Sequence, residues 1–297
     1  MRNLLRALTI LVLSGMAGAA AQAQTTNLYG NSAGTDRIDV IDKNTGTLIR
    51  SCSPALGNGR GIVVVGNVAY HTVADSNNVY KFDINTCADL GIAFSVAGST
   101  GLSTIAFDGN NFWIGDYSGT NNAYYYSPTG TLLKTIALVN CSSFCDGLEY
   151  FNGKLISNRG DAFGPYDVYD TNGVLLTAAF ITPPSGSVTG IAFDGTNFYV
   201  SNLFSPSFSV FDGTTGAFIQ TVTLNGGSGF LIEDLSFDYQ AVLPTPTPGG
   251  PTPTPGGPTP TPGPGPTTPI PTLSTPILGL LALALFVIAV AVIRRIS

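Results

Sequence analysis

Short apolar runs alternate with polar turns along most of this chain, and one apolar phrase recurs at a nearly constant interval. The phrase opens a predicted strand and usually runs into an Asp-Gly or Asn-Gly turn. Its copies are 43, 43, 43 and 44 residues apart and begin at Ile62, Ile105, Leu148, Ile191 and Leu235. A fixed period in this range is typical of a repeat protein.

The repeat that begins at Ile191 shows what one unit contains. Four runs rich in β-branched and aromatic residues, IAF, FYVSN, FSVFD and AFIQTVTL, are separated by loops and turns of small and polar residues. The alternation has a period of two, which predicts strands rather than helices. Four strands in about 40–45 residues correspond to one blade of a β-propeller.

The ends of the repeat array predict the number of blades. A partial repeat before Ile62 contains three strand-like runs, whereas the opener at Leu235 has no strand-like run after it. We therefore expect the C-terminal opener to complete the N-terminal blade, which would remove two free sheet edges. The prediction is an all-β fold, a five-bladed β-propeller over residues 24–243 with one blade closed by N- and C-terminal strands.

Three motifs make the repeats resemble bacterial propellers of the YVTN and NHL kind. They are Phe198–Asn202 (FYVSN), Phe112–Asp116 (FWIGD) and the D-x-x-T-G turn at Asp42–Gly46. The resemblance covers about residues 25–243 and implies the propeller fold. It implies no particular activity, because propeller scaffolds carry many unrelated functions.

The segments on either side of the repeats differ in composition from the body. Residues 1–23 contain two arginines, an apolar stretch and an Ala-Gln-Ala sequence, which predict a signal peptide; an uncleaved anchor is the alternative. Residues 244–271 contain 13 of the 20 prolines, which predicts an extended Pro/Thr/Gly-rich linker. Residues 277–293 are uncharged and precede two arginines, so we expect one membrane helix with a cytoplasmic C-terminus.

The C-terminal segment, residues 272–297 with the two residues before it, resembles the bacterial IPTL-type sorting signal, a relative of the PEP-type signals processed by exosortase-like enzymes. The match is a short motif followed by an apolar helix and a basic end: Ile270, Pro271, Thr272, Leu273, Ser274, Arg294 and Arg295. Thr275 and Pro276 stand where relatives often have an acidic residue and Trp. The resemblance implies an exosortase-type partner and a mature protein released or attached at the cell envelope. A permanent single-pass anchor is the alternative.

The cysteine count predicts the disulfides of the body, and its charge limits the classes of partner that it can bind. An even number of cysteines in an exported body predicts two disulfides, most simply Cys141–Cys145 and then Cys52–Cys87 on adjacent blades, although three pairings are possible. The body has 8 Lys and Arg against 18 Asp and Glu. This charge excludes a nucleic-acid-binding face and is compatible with cation binding or with solubility alone.

Superposing the five repeats identifies candidate ligand-binding residues where the first strand of each blade begins, at one mouth of the central channel. Among the two positions before each opener, one arginine and three carboxylates are expected to face a common rim: Arg60, Asp146, Glu233 and Asp234. Glu149 breaks the repeat, because the other copies have Val, Ala or Ser at its position.

Three hypotheses fit these residues. In the first, Asp146, Glu149 and Glu233, together with Asp234, bind Ca²⁺ or another divalent cation, because hard cations take clustered oxygen ligands. In the second, the mouth binds a polar ligand such as a sugar. In the third, Arg60 neutralises the carboxylates and the cluster is structural.

Other chemistry-bearing residues give weaker signals. His71 is the only histidine and lies in a predicted second strand, so we expect it to pack rather than to act as a catalytic base. Tyr117 and the run Tyr124–Tyr126 are candidates for stacking on sugar rings, or for core packing. No catalytic residue is assigned.

The sequence therefore favours a non-enzymatic, exported or surface-displayed binding propeller held at the envelope. Its ligand would be an extracellular sugar, polymer or protein. The alternative is a metal-dependent propeller hydrolase or lactonase with a carboxylate metal site at the channel mouth.

Overall fold

The structure is a computed structural model that describes residues 26–32, 37–54, 56–142, 145–160, 164–184, 188–226 and 231–240. The chain divides into two compact units, and all described residues belong to the first, Met1–Pro244. The predicted signal peptide, linker, sorting motif and C-terminal helix lie outside the described residues. Within the described ranges, no helix has the length and hydropathy needed to cross a membrane.

The described residues form β-strands and no long helix. The first seven strands are β1 Asn27–Ser32, β2 Arg37–Asp42, β3 Leu48–Cys52, β4 Gly59–Val65, β5 Val68–Val73, β6 Asn78–Asp83 and β7 Asp89–Ser95. The next are β8 Leu102–Phe107, β9 Phe112–Asp116, β10 Asn122–Tyr126, β11 Leu132–Ala137, β12 Leu148–Phe151, β13 Lys154–Ser157, β14 Tyr166–Asp170 and β15 Leu175–Ile181. The last are β16 Val188–Phe193, β17 Asn197–Asn202, β18 Ser207–Asp212, β19 Phe218–Thr223, β20 Ile232–Ser236 and β21 Asp238–Tyr239.

Five sheets confirm the predicted five-bladed propeller. The first blade has the order β20-β1-β2-β3, so a C-terminal strand completes the N-terminal blade as expected. Gly30 of β1 lies opposite Leu235 of β20 in antiparallel register. The second blade is β4 to β7, the third β8 to β11, the fourth β12 to β15 and the fifth β16 to β19. Each apolar opener forms the innermost strand of its blade.

The last opener, Leu235–Tyr239, does more than complete the first blade. Strand β21 pairs in parallel with the end of β4 and adds a fifth strand to the second blade. Side chains also join the two segments, because the amide of Val64 donates to Ser236 Oγ at 2.9 Å and that of Asn67 donates to Asp238 Oδ1 at 3.3 Å. The C-terminal segment therefore satisfies amides at the inner edge of the second blade, in addition to closing the first.

A ring of hydrogen bonds links each blade to the next where the inner strands begin. The donor and acceptor of each bond lie in adjacent blades: Ile62 N to Asp234 Oδ2, Thr72 Oγ1 to Ser103 O, Ser103 Oγ to Cys145 O, Tyr166 Oη to Thr189 O, and Thr189 Oγ1 to Glu233 O. All of these groups are buried. Because buried polar groups are costly when unpaired, the ring favours the closed five-blade arrangement.

The turns between the third and fourth strands explain a recurring sequence motif. In the first blade, Asp42 Oδ1 accepts hydrogen bonds from the amides of Asn44 and Thr45, both at 2.9 Å. Asp83 and Asp212 make the same bonds in the second and fifth blades. These aspartates therefore stabilise turns, as their repeated position predicts.

Both predicted disulfides are present. Cys52 on β3 is bonded to Cys87, which lies between β6 and β7, so this bond joins the first blade to the second. Cys141 is bonded to Cys145 within the segment that leads into the fourth blade. Two disulfides suggest an oxidising environment.

Truncating the closing strand tests how far stability depends on ring closure. Leu235 is 2 % exposed within β20, whereas Leu231, just before the strand, is 41 % exposed. We expect Leu235→Ala to lower the free energy of unfolding by about 2–5 kcal/mol through lost burial and a residual cavity, and Leu231→Ala by less than about 0.5 kcal/mol. Urea unfolding of both variants measures the difference. Equal losses would contradict a stabilising role for β20.

Candidate functional site

Three residues from three blades meet where the inner strands begin. Arg60, at the start of β4, forms an ion pair with Glu233 of β20, with Nη1 and Oε1 2.9 Å apart. Its Nη2 donates to Tyr117 Oη at 2.9 Å, and the guanidinium carbon lies 4.6 Å from the centre of the Tyr117 ring. Arg60 is thus held by a carboxylate, a phenol and an aromatic face.

Asp146 belongs to the same cluster but has an unsatisfied carboxylate oxygen. Its main-chain amide donates to Asn158 Oδ1 at 3.1 Å, which fixes the residue just before the fourth blade begins. Asp146 is 6 % exposed, and its Oδ1 has no hydrogen-bond partner among the described residues. It interacts electrostatically with Arg60 and Glu233. We call Arg60, Tyr117, Asp146 and Glu233 the mouth cluster.

The carboxyl groups of the mouth cluster titrate near neutral pH. Burial raises the pKa of Glu233 to about 7, and the negative charge of Asp146 adds to this while Arg60 opposes it. Burial raises the pKa of Asp146 to about 6, again opposed by Arg60. The charge of the mouth therefore becomes more positive as the pH falls from 7 to 6.

Asp234 does not join the mouth cluster, although it is adjacent to Glu233 in sequence. Its Oδ2 accepts hydrogen bonds from Thr104 Oγ1 at 3.0 Å and from the amide of Ile62 at 3.2 Å, and its Oδ1 accepts one from its neighbour's amide. The register between β20 and β1 is irregular at Glu233, because Asn31 pairs with Asp234 and the next residue, Ser32, pairs with Ile232. Glu233 reaches Arg60, whereas Asp234 contacts the inner strands of the second and third blades. Burial raises the pKa of Asp234 well above its usual range.

Glu149 also has a structural partner rather than a place in the mouth cluster. Its Oε2 accepts a hydrogen bond from Tyr239 Oη at 2.6 Å, and its Oε1 accepts one from the amide of Tyr150 at 2.7 Å. The Tyr239 hydroxyl oxygen also lies 3.2 Å from the carbonyl oxygen of Phe193, a second possible acceptor for its single proton. Because Tyr239 lies in the unpredicted strand β21, repeat comparison could find Glu149 but not its partner.

Tyr239 and Arg60 mark opposite ends of the inner strand β4. Tyr239 pairs with Val65 at the end of β4, and its hydroxyl contacts the fourth and fifth blades. Arg60 lies at the start of β4. The buried Tyr239 therefore bridges blades at one end of the inner strands, and the partly exposed mouth cluster lies at the other.

The proposed metal ligands are not arranged as a metal site. In the part of the chain that the structure describes, no three His, Cys, Asp or Glu side chains are grouped so that they could hold a metal ion. Arg60 binds Glu233 and Tyr239 binds Glu149, so two of the three proposed ligands already have protein partners. The geometry gives the Ca²⁺ hypothesis no support.

The aromatic and histidine residues singled out by sequence lie mostly in the core. Tyr124 and Tyr126 are buried, so they are not available to stack on a ligand, which corrects that expectation. Tyr125 is half-buried and stacks on Trp113 with ring centres 4.4 Å apart. His71 is buried in β5, as expected, and burial lowers its pKa to about 4. It is therefore neutral at pH 7.

An open groove lies on the segment that leads into β4. Its volume is about 390 Å³ and its lining combines apolar, hydroxyl and carboxylate groups: Leu56, Gly57, Val73, Asp75, Ser76 and Tyr80. Gly57 is three residues before Arg60, so their Cα atoms are at most about 11 Å apart. Sequence reasoning missed this groove because its polar residues resemble those of any surface loop.

Comparison with known proteins adds a fold likeness. No protein-family model matches the chain, and no curated protein matches its sequence. Among solved structures, the chain is similar to the glutaminyl cyclase of Myxococcus xanthus, with a TM-score of 0.48 and 14 % identity over 66 % of this chain and 74 % of that one.

The buried Glu149 predicts a specific pH dependence of stability. Burial raises its pKa to about 8 from an ordinary 4.5, so the folded protein retains a proton that the unfolded chain loses. The resulting stabilisation is complete below about pH 4.5 and is lost as the pH rises through about 8. Glu149→Gln keeps the shape and is neutral at every pH.

We expect Glu149→Gln to match the wild type at pH 4.5 and to exceed its free energy of unfolding by about 2 kcal/mol or more at pH 9. Urea unfolding across this range measures the difference. Asp89→Asn, at an exposed residue, is the control and should shift the curve little at either pH. If the free energies of unfolding of the wild type and of Glu149→Gln differed by the same amount at every pH, the buried, protonated state of Glu149 would be contradicted.

Proposed function

We propose that this chain is an exported, non-enzymatic binding propeller that takes a polar ligand at the mouth cluster. One observation carries the proposal: the buried Oδ1 of Asp146 has no hydrogen-bond partner among the described residues, beside a partly exposed arginine. An unsatisfied buried acceptor costs about 1–3 kcal/mol. A ligand that donates a hydrogen bond to this atom would recover that free energy.

Binding is favoured over hydrolysis by the groups near the mouth. A metal-dependent hydrolase needs several ligands around one ion, and the described residues contain no such group. A Ser-His-Asp mechanism would depend on His71, which is buried in β5 and whose pKa is lowered by that burial. The hydrolase alternative therefore has no residue set that favours it.

A panel of ligand classes tests the binding function on the purified full chain. Neutral oligosaccharides, spermidine, CaCl₂ and short peptides are added in turn, and thermal melting and calorimetric titration are recorded. We expect one class to raise the melting temperature, and Asp146→Ala to weaken that class at least tenfold. Asp89→Ala, at an exposed aspartate, is the matched control. If no class binds, or if Asp146→Ala binds like the wild type, the proposed function is wrong.

The envelope location is part of the same proposal. A signal peptide over residues 1–23, a linker over 244–271 and a sorting signal over 272–297 would export the body and hand it to an exosortase-type enzyme. The two disulfides support an oxidising compartment.

Mass spectrometry of the protein isolated from its native host tests this location. We expect the mature N-terminus near Gln24 and a C-terminus that precedes the apolar residues 277–293. An intact C-terminus at Ser297 would support the permanent membrane anchor instead. An intact N-terminus with reduced cysteines would contradict export.

A further inference from the structure

We propose that the ligand of the mouth cluster is a neutral oligosaccharide, with one sugar unit at Arg60 and Asp146 and further units in the groove beside them. This inference rests on the proposed binding function and names its ligand class.

The unsatisfied atoms of the mouth cluster are of opposite kinds. Among the described residues, Asp146 Oδ1 is a buried acceptor without a hydrogen-bond partner, and Arg60 Nε is a buried donor without one. A hydroxyl group both donates and accepts, so hydroxyls can satisfy both atoms. Sugar rings present several hydroxyls at fixed spacing, whereas most other small ligands do not.

Charged ligands fit the same atoms less well. A cation would be attracted by Asp146 and Glu233 but repelled by Arg60, and it would leave Arg60 Nε without an acceptor. An anion would meet both carboxylates. The mouth cluster therefore favours a ligand without formal charge.

Arg60 is the more exposed partner of its ion pair. Its side chain is 19 % exposed, whereas that of Glu233 is 7 % exposed. Arg60 is held by its ion pair with Glu233 and by a hydrogen bond to the Tyr117 hydroxyl. A ligand hydroxyl reaches Asp146 when Arg60 turns aside, and the guanidinium can then donate to a second hydroxyl.

The groove also offers hydrogen-bonding groups to a ligand, together with apolar surface. Its volume of about 390 Å³ lies in the range of small-ligand sites. Asp75 and Ser76 offer hydrogen bonds, while Leu56, Val73 and the half-buried Tyr80 offer apolar surface. Sugars present hydroxyl edges and C–H faces, so a lining that mixes both kinds of group suits them. Because the Cα atoms of Gly57 and Arg60 are at most about 11 Å apart, further sugar units of a ligand bound at the mouth can reach the groove.

The test uses calorimetric titration of the full chain at pH 7.5 with glucose, maltohexaose, cellohexaose and chitohexaose, and with spermidine and CaCl₂ as charged comparators. We expect at least one neutral hexasaccharide to bind, with less than a twofold change in affinity between 0.1 and 0.5 M NaCl. We also expect it to bind at least tenfold more tightly than its monosaccharide, because additional units occupy the groove.

Two variants separate the mouth from the groove. Asp146→Ala should weaken the hexasaccharide and its monosaccharide alike, at least tenfold. Asp75→Ala, at an exposed groove residue, should weaken the hexasaccharide about threefold or more and leave the monosaccharide unchanged. Asp89→Ala should change neither. Circular dichroism and melting curves establish that each variant is folded.

The outcomes distinguish this inference from the proposed function. If spermidine or CaCl₂ binds and Asp146→Ala abolishes that binding, the mouth is a binding site but the saccharide assignment is wrong. If a hexasaccharide binds with no effect of Asp75→Ala, the groove is not part of the site. If none of these probes binds, the saccharide assignment is wrong, and if the short peptides of the earlier panel do not bind either, the proposed function is wrong as well.

Discussion

The close approach of the five inner strands is the constraint on which the rest of the structure depends. A Cβ atom added to Gly190 would lie 2.2 Å from the Cα of Asp234, and one added to Gly147 would lie 1.9 Å from the carbonyl oxygen of Thr189. Such distances leave no room for a side chain. The glycines therefore let adjacent blades meet closely enough for the ring of inter-blade hydrogen bonds to form.

Features that recur in the repeats, or whose partners are close in sequence, could be predicted from the sequence. The 43-residue period reports strands that repeat, so the blade count and the closure by Leu235 follow from it directly. The turn aspartates follow too, because their partners lie two or three residues away. Strand β21 could not be predicted, since Asp238 and Tyr239 continue an opener instead of beginning a repeat and their partners are more than 170 residues earlier in the chain.

Residues that break the repeat proved to be of two physical kinds. Glu149 and Asp234 are buried and hydrogen-bonded to neighbouring strands, so they stabilise the inner part of the propeller. Arg60, Asp146 and Glu233 meet at the partly exposed mouth. Sequence comparison singled out Glu149 as a departure from the repeat and the other four by their position before an opener, and neither criterion carries information about side-chain direction. The irregular register of β20 at Glu233, which the repeat period does not reveal, separates the contacts of Glu233 from those of Asp234.

The two ends of the inner strands differ in how far their buried polar groups are hydrogen-bonded. At one end the C-terminal segment supplies Tyr239, whose hydroxyl donates to Glu149 and contacts the fifth blade. At the other end Arg60 pairs with Glu233, while Asp146 Oδ1 has no hydrogen-bond partner among the described residues. The C-terminal segment thus satisfies buried groups at one end of the inner strands, whereas the Arg60 end keeps a buried carboxylate oxygen without a hydrogen-bond partner among the described residues, and the proposed ligand site rests on that oxygen.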